Sequence, residues 1–153
     1  MRKLDTFEYI SVLRELAESG HEVCVRVSGR SMYPFLRDGR DTAFFKVPGR
    51  ELRVGDIVFY QRANGQYILH RICKIDGSGL YMLGDSQQQI EGPVAPEQVF
   101  ALVTHVERGG REVRPDDALW KFYAGPWRHL VAVRPWLIKL HTVVHRDNSY
   151  YNR

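Results

Sequence analysis

The chain has 153 residues, 44% of them hydrophobic and 26% charged, which is the composition of an ordinary globular domain with a core of its own. Its two cysteines have neither metal-ligand spacing nor the number that a disulfide framework needs, so the composition excludes a small domain held together by disulfides or zinc. The formal net charge of +4 is modest and no nucleic-acid-reading motif accompanies it, which argues against a nucleic-acid partner.

The first predicted element is a helix that ends near Gly20. Either Asp5 or Thr6 can cap its N-terminus, and Gly20 is a typical C-terminal stop. Its apolar residues recur at helical spacing: Phe7, Ile10, Leu13 and either Leu16 or Ala17. This beginning is amphipathic and acidic, with neither a secretory signal nor a bilayer-spanning run, so we expect a cytoplasmic protein.

Short runs typical of β-strands follow the helix, separated by glycine-containing turns. They cover residues 23–27, 42–47, 57–61, 67–75, 80–83, 100–107 and 112–113. Asn64-Gly65 is a strong hairpin signal between the third and fourth runs. Short, closely spaced strands of this kind predict a mainly β fold, with a curled antiparallel sheet or a partly open barrel.

The composition changes after residue 115. Asp116, Pro126 and Pro135 each suit the beginning of a helix. Residues 120–153 contain six Lys/Arg, a single acid (Asp147) and all three tryptophans. Three roles are open for residues 120–145: a helical appendage that packs its aromatic residues on the sheet, a peripheral contact with a membrane, or a docking surface for a partner or substrate.

Ser31 is the first candidate for chemistry. It lies in residues 28–36, on a turn that follows the first strand and contains Gly29 and Pro34. A serine hydroxyl is a poor nucleophile by itself, so it needs a base within hydrogen-bond reach and donors for the developing oxyanion.

His70 is the best candidate for that base. Strand alternation places it on one sheet face with Ile68 and Ile72. A histidine between two isoleucines is partly desolvated, and desolvation favours the neutral imidazole that a general base requires. The alternative is a core histidine that is hydrogen-bonded to the backbone.

Asp85 is the candidate for the residue that orients His70. It ends the strand that follows the strand of His70, so a hairpin can place the two side by side, as in a serine triad. Glu91, six residues further on, competes for this role, and a capping or turn-forming aspartate is the structural alternative.

Four short motifs together resemble those of the signal peptidase I-like serine peptidases. They occur in that family's order and span residues 23–103. The motifs are Ser28-Gly29-Arg30-Ser31-Met32-Tyr33-Pro34, Val54-Gly55-Asp56-Ile57-Val58, Leu69-His70-Arg71-Ile72 and Gly84-Asp85-Ser86. The resemblance implies a peptidase-like domain at residues 1–115, of the fold shared with the SOS repressor peptidases, and a basic, tryptophan-rich helical appendage at residues 116–153.

The resemblance also implies a mechanism. Bacterial signal peptidases and self-cleaving SOS repressors have lysine where this chain has His70. The members with histidine at this position imply a Ser-His mechanism that needs no cofactor or metal. Matching to that type places Glu91 at the acid position, so both Asp85 and Glu91 stay candidates. The substrate would be an extended peptide or a leader sequence, and the alternative is a self-cleaving or non-hydrolytic peptide-binding regulator.

Two departures from the family pattern concern the neighbourhood of the nucleophile. Gly29 stands where the family often has a serine that stabilises the oxyanion, and Ser28 lies one position earlier. Arg30 stands where glycine is common. In addition, we expect an amphipathic helix where the family typically has its membrane anchor.

Overall fold

The computed structural model describes residues 6–145, so the predicted cap Asp5 and the acidic residue Asp147 lie outside it. Helix α1 spans Thr6–Glu18. Ile10, Leu13 and Ala17 form its buried face, while Leu16 is 43% exposed. Of the two residues predicted for the last position on this face, the structure therefore selects Ala17, the one that continues the i, i+3, i+7 spacing from Ile10.

Within residues 6–145 eight strands follow, and seven of them match the predicted runs to within one residue at each end. They are β1 Val23–Arg26, β2 Thr42–Lys46, β3 Ile57–Gln61, β4 Tyr67–Asp76, β5 Gly79–Leu83, β6 Glu91–Val94, β7 Val99–Arg108 and β8 Arg111–Val113. Strand β6 was not predicted, because a four-residue strand with Gly92 and Pro93 at its centre has little strand propensity.

All strand pairs are antiparallel, in the order β1-β2-β7-β3-β4-β5-β6, with β8 also paired to β7. The long strand β7 lies between β2 and β3 and joins the two halves of the sheet. This arrangement confirms the predicted mainly β fold, an open antiparallel sheet with an N-terminal helix and C-terminal helices.

The β3–β4 hairpin determines where His70 lies. Its turn contains Gly65, whose φ of 93° suits the Asn-Gly signal. The resulting register places Val58 opposite His70, and Tyr60 opposite Ile68. Because side chains two residues apart share a face, Tyr60 and His70 lie on the same side of the sheet.

The C-terminal elements are α2 (Ala118–Ala124), a 3-10 helix (Pro126–Val133) with a kink at Leu130, and α3 (Arg134–Val144). They do not form a separate core. Trp120, Tyr123, Trp127 and Ile138 belong to the same hydrophobic cluster as α1 and the strands. Of the roles open for residues 120–145, packing on the sheet therefore describes the buried side of this segment.

Among residues 6–145, no helix combines the length and the hydropathy that crossing a bilayer requires.

Candidate active site

The loop that carries Ser31 is held against the loop that follows β5. The backbone N–H of Ser86 donates to the carbonyl of Ser31 at 3.0 Å, and the Ser86 hydroxyl donates to the carbonyl of Arg30 at 2.8 Å. A Cβ on Gly84 would lie 2.4 Å from the same Ser31 carbonyl oxygen, far inside van der Waals contact. The Gly-Asp-Ser motif is therefore the structural support of the serine loop, and only glycine fits at its first position.

Ser31 and His70 line one cavity. Its volume is about 130 Å³, and its lining consists of Val27, Ser28, Ser31, Met32, Tyr67, Ile68, Leu69 and His70. Within residues 6–145, no hydrogen bond joins the Ser31 hydroxyl to the His70 ring. The structure thus brings the predicted nucleophile and base to the same small cavity in an arrangement looser than a hydrogen-bonded pair, as is common for catalytic groups without substrate.

His70 is 4% exposed, and this burial lowers the pKa of its imidazole from 6.5 to about 4. Desolvation is the largest cause; the Glu91 carboxylate raises this pKa and the Arg62 guanidinium lowers it. The ring is therefore neutral at physiological pH and able to accept a proton.

Tyr60 is a functional candidate that the sequence analysis missed. Its hydroxyl lies 3.3 Å from His70 Nδ1 in a buried hydrogen bond. Burial, reinforced by the charge of Glu91, raises the pKa of the Tyr60 phenol, so it keeps its proton. Glu91 is held by Arg62, which donates to it from Nε at 3.0 Å and holds the pKa of its carboxyl below the usual range.

The sequence left the face of Tyr60 open. A two-residue turn at Asn64-Gly65 would pair residue 60 with Leu69, whereas the observed loop has three residues and pairs it with Ile68, on the face of His70. A tyrosine in an otherwise apolar buried strand needs a hydrogen-bond partner, and His70 is the polar residue beside it.

Asp85 lies elsewhere, and its predicted position beside His70 is wrong. Its two carboxylate oxygens accept from Arg71 Nε and Nη2, both at 2.9 Å, and the two side chains are 1% and 2% exposed. In the described part of the chain no hydrogen bond joins it to His70. The physical reason is strand alternation: Arg71 follows His70 and points to the opposite face, where a buried guanidinium requires a carboxylate.

The Arg71–Asp85 pair also connects the sheet to the C-terminal segment. Arg71 donates from Nη1 to the carbonyl of Gly55 at 2.9 Å, and Trp127 donates its indole N–H to the carbonyl of Asp85 at 2.7 Å. The buried Arg134 donates to the carbonyl of Gly84. Through these contacts Asp85 joins β4 to the C-terminal segment next to the serine loop, which is a structural role.

The neighbourhood of Ser31 contains two candidate oxyanion donors. The backbone N–H of Ser31 has no acceptor within residues 6–145, and Ser28 lines the same cavity. Gly29 is unsuited to this role because its N–H already donates to Asp38 Oδ1 at 2.9 Å. Its φ of 84° is the left-handed conformation that favours glycine, which explains the departure from serine at this position.

One edge of β4 is open beside the cavity. Strand β3 pairs with β4 along residues 67–71, whereas the pairing of β5 with β4 begins only at Arg71. Among the described strands, the cavity-lining backbone from Tyr67 to His70 thus has a neighbour on one side only. An extended peptide can add to such an edge through backbone hydrogen bonds.

The open antiparallel sheet, with a loop serine and a buried neutral histidine at one cavity, is compatible with a serine peptidase. A family model described as Peptidase S24-like matches residues 3–106, and the chain belongs to this family. No curated protein and no solved structure matches the chain. The peptidase-type resemblance is confirmed at this level, while the narrower likeness to signal peptidase I stays a prediction.

Proposed function

We propose that this protein is a serine endopeptidase that uses Ser31 as nucleophile and His70 as general base to cleave an extended peptide or leader sequence. The observation that carries the proposal is the shared cavity of Ser31 and a histidine kept neutral by burial. Membership of the Peptidase S24-like family supports a peptidase-type function. The use of Ser31 and His70 as a catalytic pair is the part of the proposal that goes beyond the family.

The chemistry follows from these two groups. His70 takes the proton of the Ser31 hydroxyl as the oxygen attacks the scissile carbonyl, and the N–H of Ser31 with the hydroxyl of Ser28 stabilises the oxyanion. His70 then protonates the leaving amine, which leaves an acyl-enzyme. A water molecule, deprotonated by His70, releases the acid product and restores Ser31.

The residue that orients His70 is Tyr60, with Glu91 behind it. In this arrangement His70 Nδ1–H donates to the Tyr60 oxygen, and the Glu91 carboxylate acts on both groups through its charge. This leaves the Nε2 lone pair for the proton of Ser31. Of the two acids predicted from the sequence, we therefore assign the role to Glu91, acting through its charge rather than by a hydrogen bond to the ring.

The substrate is proposed to extend β4 as an added strand. The open edge at residues 67–70 provides backbone partners, and the small cavity beside it selects a small side chain next to the cut. At about 130 Å³ its volume equals that of only a few water molecules, at ~30 Å³ each.

A second candidate function is a regulator that cleaves only itself or binds peptides without cleaving them. The observation that favours it is the lack of a Ser31–His70 hydrogen bond in the described chain. The same open edge would then hold a peptide whose carbonyl is not attacked.

Digestion of a diverse peptide library, followed by mass spectrometry of the new termini, tests the proposal. The wild-type chain should cut after a consistent set of small residues, and Ser31→Ala and His70→Gln should each lose this cleavage while remaining folded. Ser78→Ala, in the exposed β4–β5 turn, is the matched control and should cleave normally.

Intact mass of the protein incubated alone separates the candidates. An enzyme acting on other chains leaves its own mass unchanged, whereas a self-cleaving regulator yields two fragments that Ser31→Ala does not yield. Library cleavage that persists in Ser31→Ala refutes the proposed mechanism.

A further inference from the structure

Helix α3 buries one face and exposes an apolar one on the opposite side. Its buried face carries Arg134, Ile138 and Thr142. The exposed face carries Trp136, Leu140 and Val143, spaced i, i+4 and i+7, with exposed fractions of 66%, 49% and 69%. Two flanking valines, Val133 and Val144, are exposed as well. We call these five residues the α3 apolar face.

This concentration is unlike the scattered apolar residues normal on protein surfaces. The α3 apolar face forms a continuous stripe on a helix and includes the side chain of Trp136. A clustered exposed apolar stripe of this kind marks a surface that binds a membrane or a partner.

The charge of the segment that carries the α3 apolar face favours an anionic binding partner. Residues 118–145 contain no Asp or Glu, whereas Lys121, Arg128 and Lys139 carry positive charge at exposed or half-buried positions. Lys139 is exposed and lies between Trp136 and Leu140 in sequence, at the margin of the stripe on the helical wheel.

We propose that the α3 apolar face binds the interface of an anionic phospholipid membrane. An interfacial helix places tryptophan and aliphatic side chains at the headgroup–acyl boundary and basic residues against the anionic headgroups. A second copy of the chain fits less well, because self-association through this face would bring two acid-free, cationic segments together. This inference goes beyond the proposed function and does not depend on peptide cleavage.

The tryptophans provide a built-in reporter. Trp120 and Trp127 are each 4% exposed in the core, so a change in emission on binding arises from Trp136. Vesicles of equimolar phosphatidylcholine and phosphatidylglycerol should shift the emission to shorter wavelength and sediment with the protein. Phosphatidylcholine vesicles alone should bind markedly more weakly, and added salt should weaken binding to the anionic vesicles.

Leu140→Ser is the informative variant, because its side chain is exposed and its loss should leave the fold intact. We expect it to weaken vesicle binding by about tenfold or more, as the loss of one buried apolar side chain implies. Leu16→Ser on α1 is the matched control, a leucine of similar exposure (43%) on another helix, and should bind like wild type. Trp136→Phe should keep most of the binding and lose the emission shift.

Three results would overturn the proposal. One is failure of the wild-type chain to sediment with the anionic vesicles. Another is an equal effect of Leu140→Ser and Leu16→Ser. The last is a concentration-dependent dimer in sedimentation velocity that Leu140→Ser abolishes, which would assign the face to a second copy of the chain.

Discussion

Replacement of Asp85 by asparagine should destabilise the protein strongly, because it leaves the guanidinium of Arg71 buried without its counter-charge. Both side chains are almost fully buried, and two hydrogen bonds of 2.9 Å join them. The remaining contacts of Arg71, the carbonyl of Gly55 and the ring face of Phe35, supply no negative charge. Removing one partner of a buried ion pair costs about 3–5 kcal/mol.

Urea unfolding followed by circular dichroism measures this loss. With an m value of about 2 kcal/mol per M, a destabilisation of ~4 kcal/mol lowers the urea midpoint by about 2 M. The double variant Arg71→Met/Asp85→Leu removes both charges and should recover much of the stability. Glu22→Gln, which removes the exposed pair with Lys46, is the control and should change the stability by ~0–1 kcal/mol.

The opposite pattern would refute this reasoning. If Asp85→Asn unfolds like wild type, within about 1 kcal/mol, and yet loses peptide cleavage, the carboxylate acts on the reaction and the assignment of Asp85 as a structural residue is wrong.

Three further predictions concern the site. Between pH 4 and 6.5 the unfolded chain protonates His70 while the folded chain does not, so its contribution to stability is complete above pH 6.5 and is lost as the pH falls toward 4. Urea unfolding should show a loss of about 2 kcal/mol between neutral pH and pH 5 that His70→Gln lacks, and an equal loss in both would contradict the buried neutral ring. Tyr60→Phe should lower kcat by about tenfold or more with little change in KM, and an unchanged kcat would remove Tyr60 from the mechanism. Gly84→Ala should displace the Ser31 loop, lower the free energy of unfolding by about 1–3 kcal/mol and abolish cleavage. Gly77→Ala is the control, because a Cβ there meets nothing within 4 Å, and it should keep both stability and cleavage. Equal behaviour of the two variants would contradict the steric argument.

The strands and helices were predictable from local patterns. Residues 57–61 were predicted and observed as a strand with the same bounds, since a short apolar run between turn signals has few alternatives. The strand β6 was not, because Gly92 and Pro93 oppose strand formation and only pairing with β5 makes it one. At the end of α1, the spacing alone left Leu16 and Ala17 open, and packing on the sheet selected Ala17.

By itself the sequence determined the fold class, the serine on its turn and the histidine on its strand, because each depends on local periodicity and turn chemistry. Only the tertiary structure decided which polar groups serve which residue. Arg71 binds Asp85 on the far face of β4, and His70 is bonded to Tyr60 instead. Packing also merged the C-terminal tryptophans Trp120 and Trp127 into the common core. A buried charge or hydroxyl needs a hydrogen-bond or ion-pair partner, because leaving it unpaired away from water costs free energy. That partner is the complementary group that the fold brings within reach, and it can lie far away in the sequence.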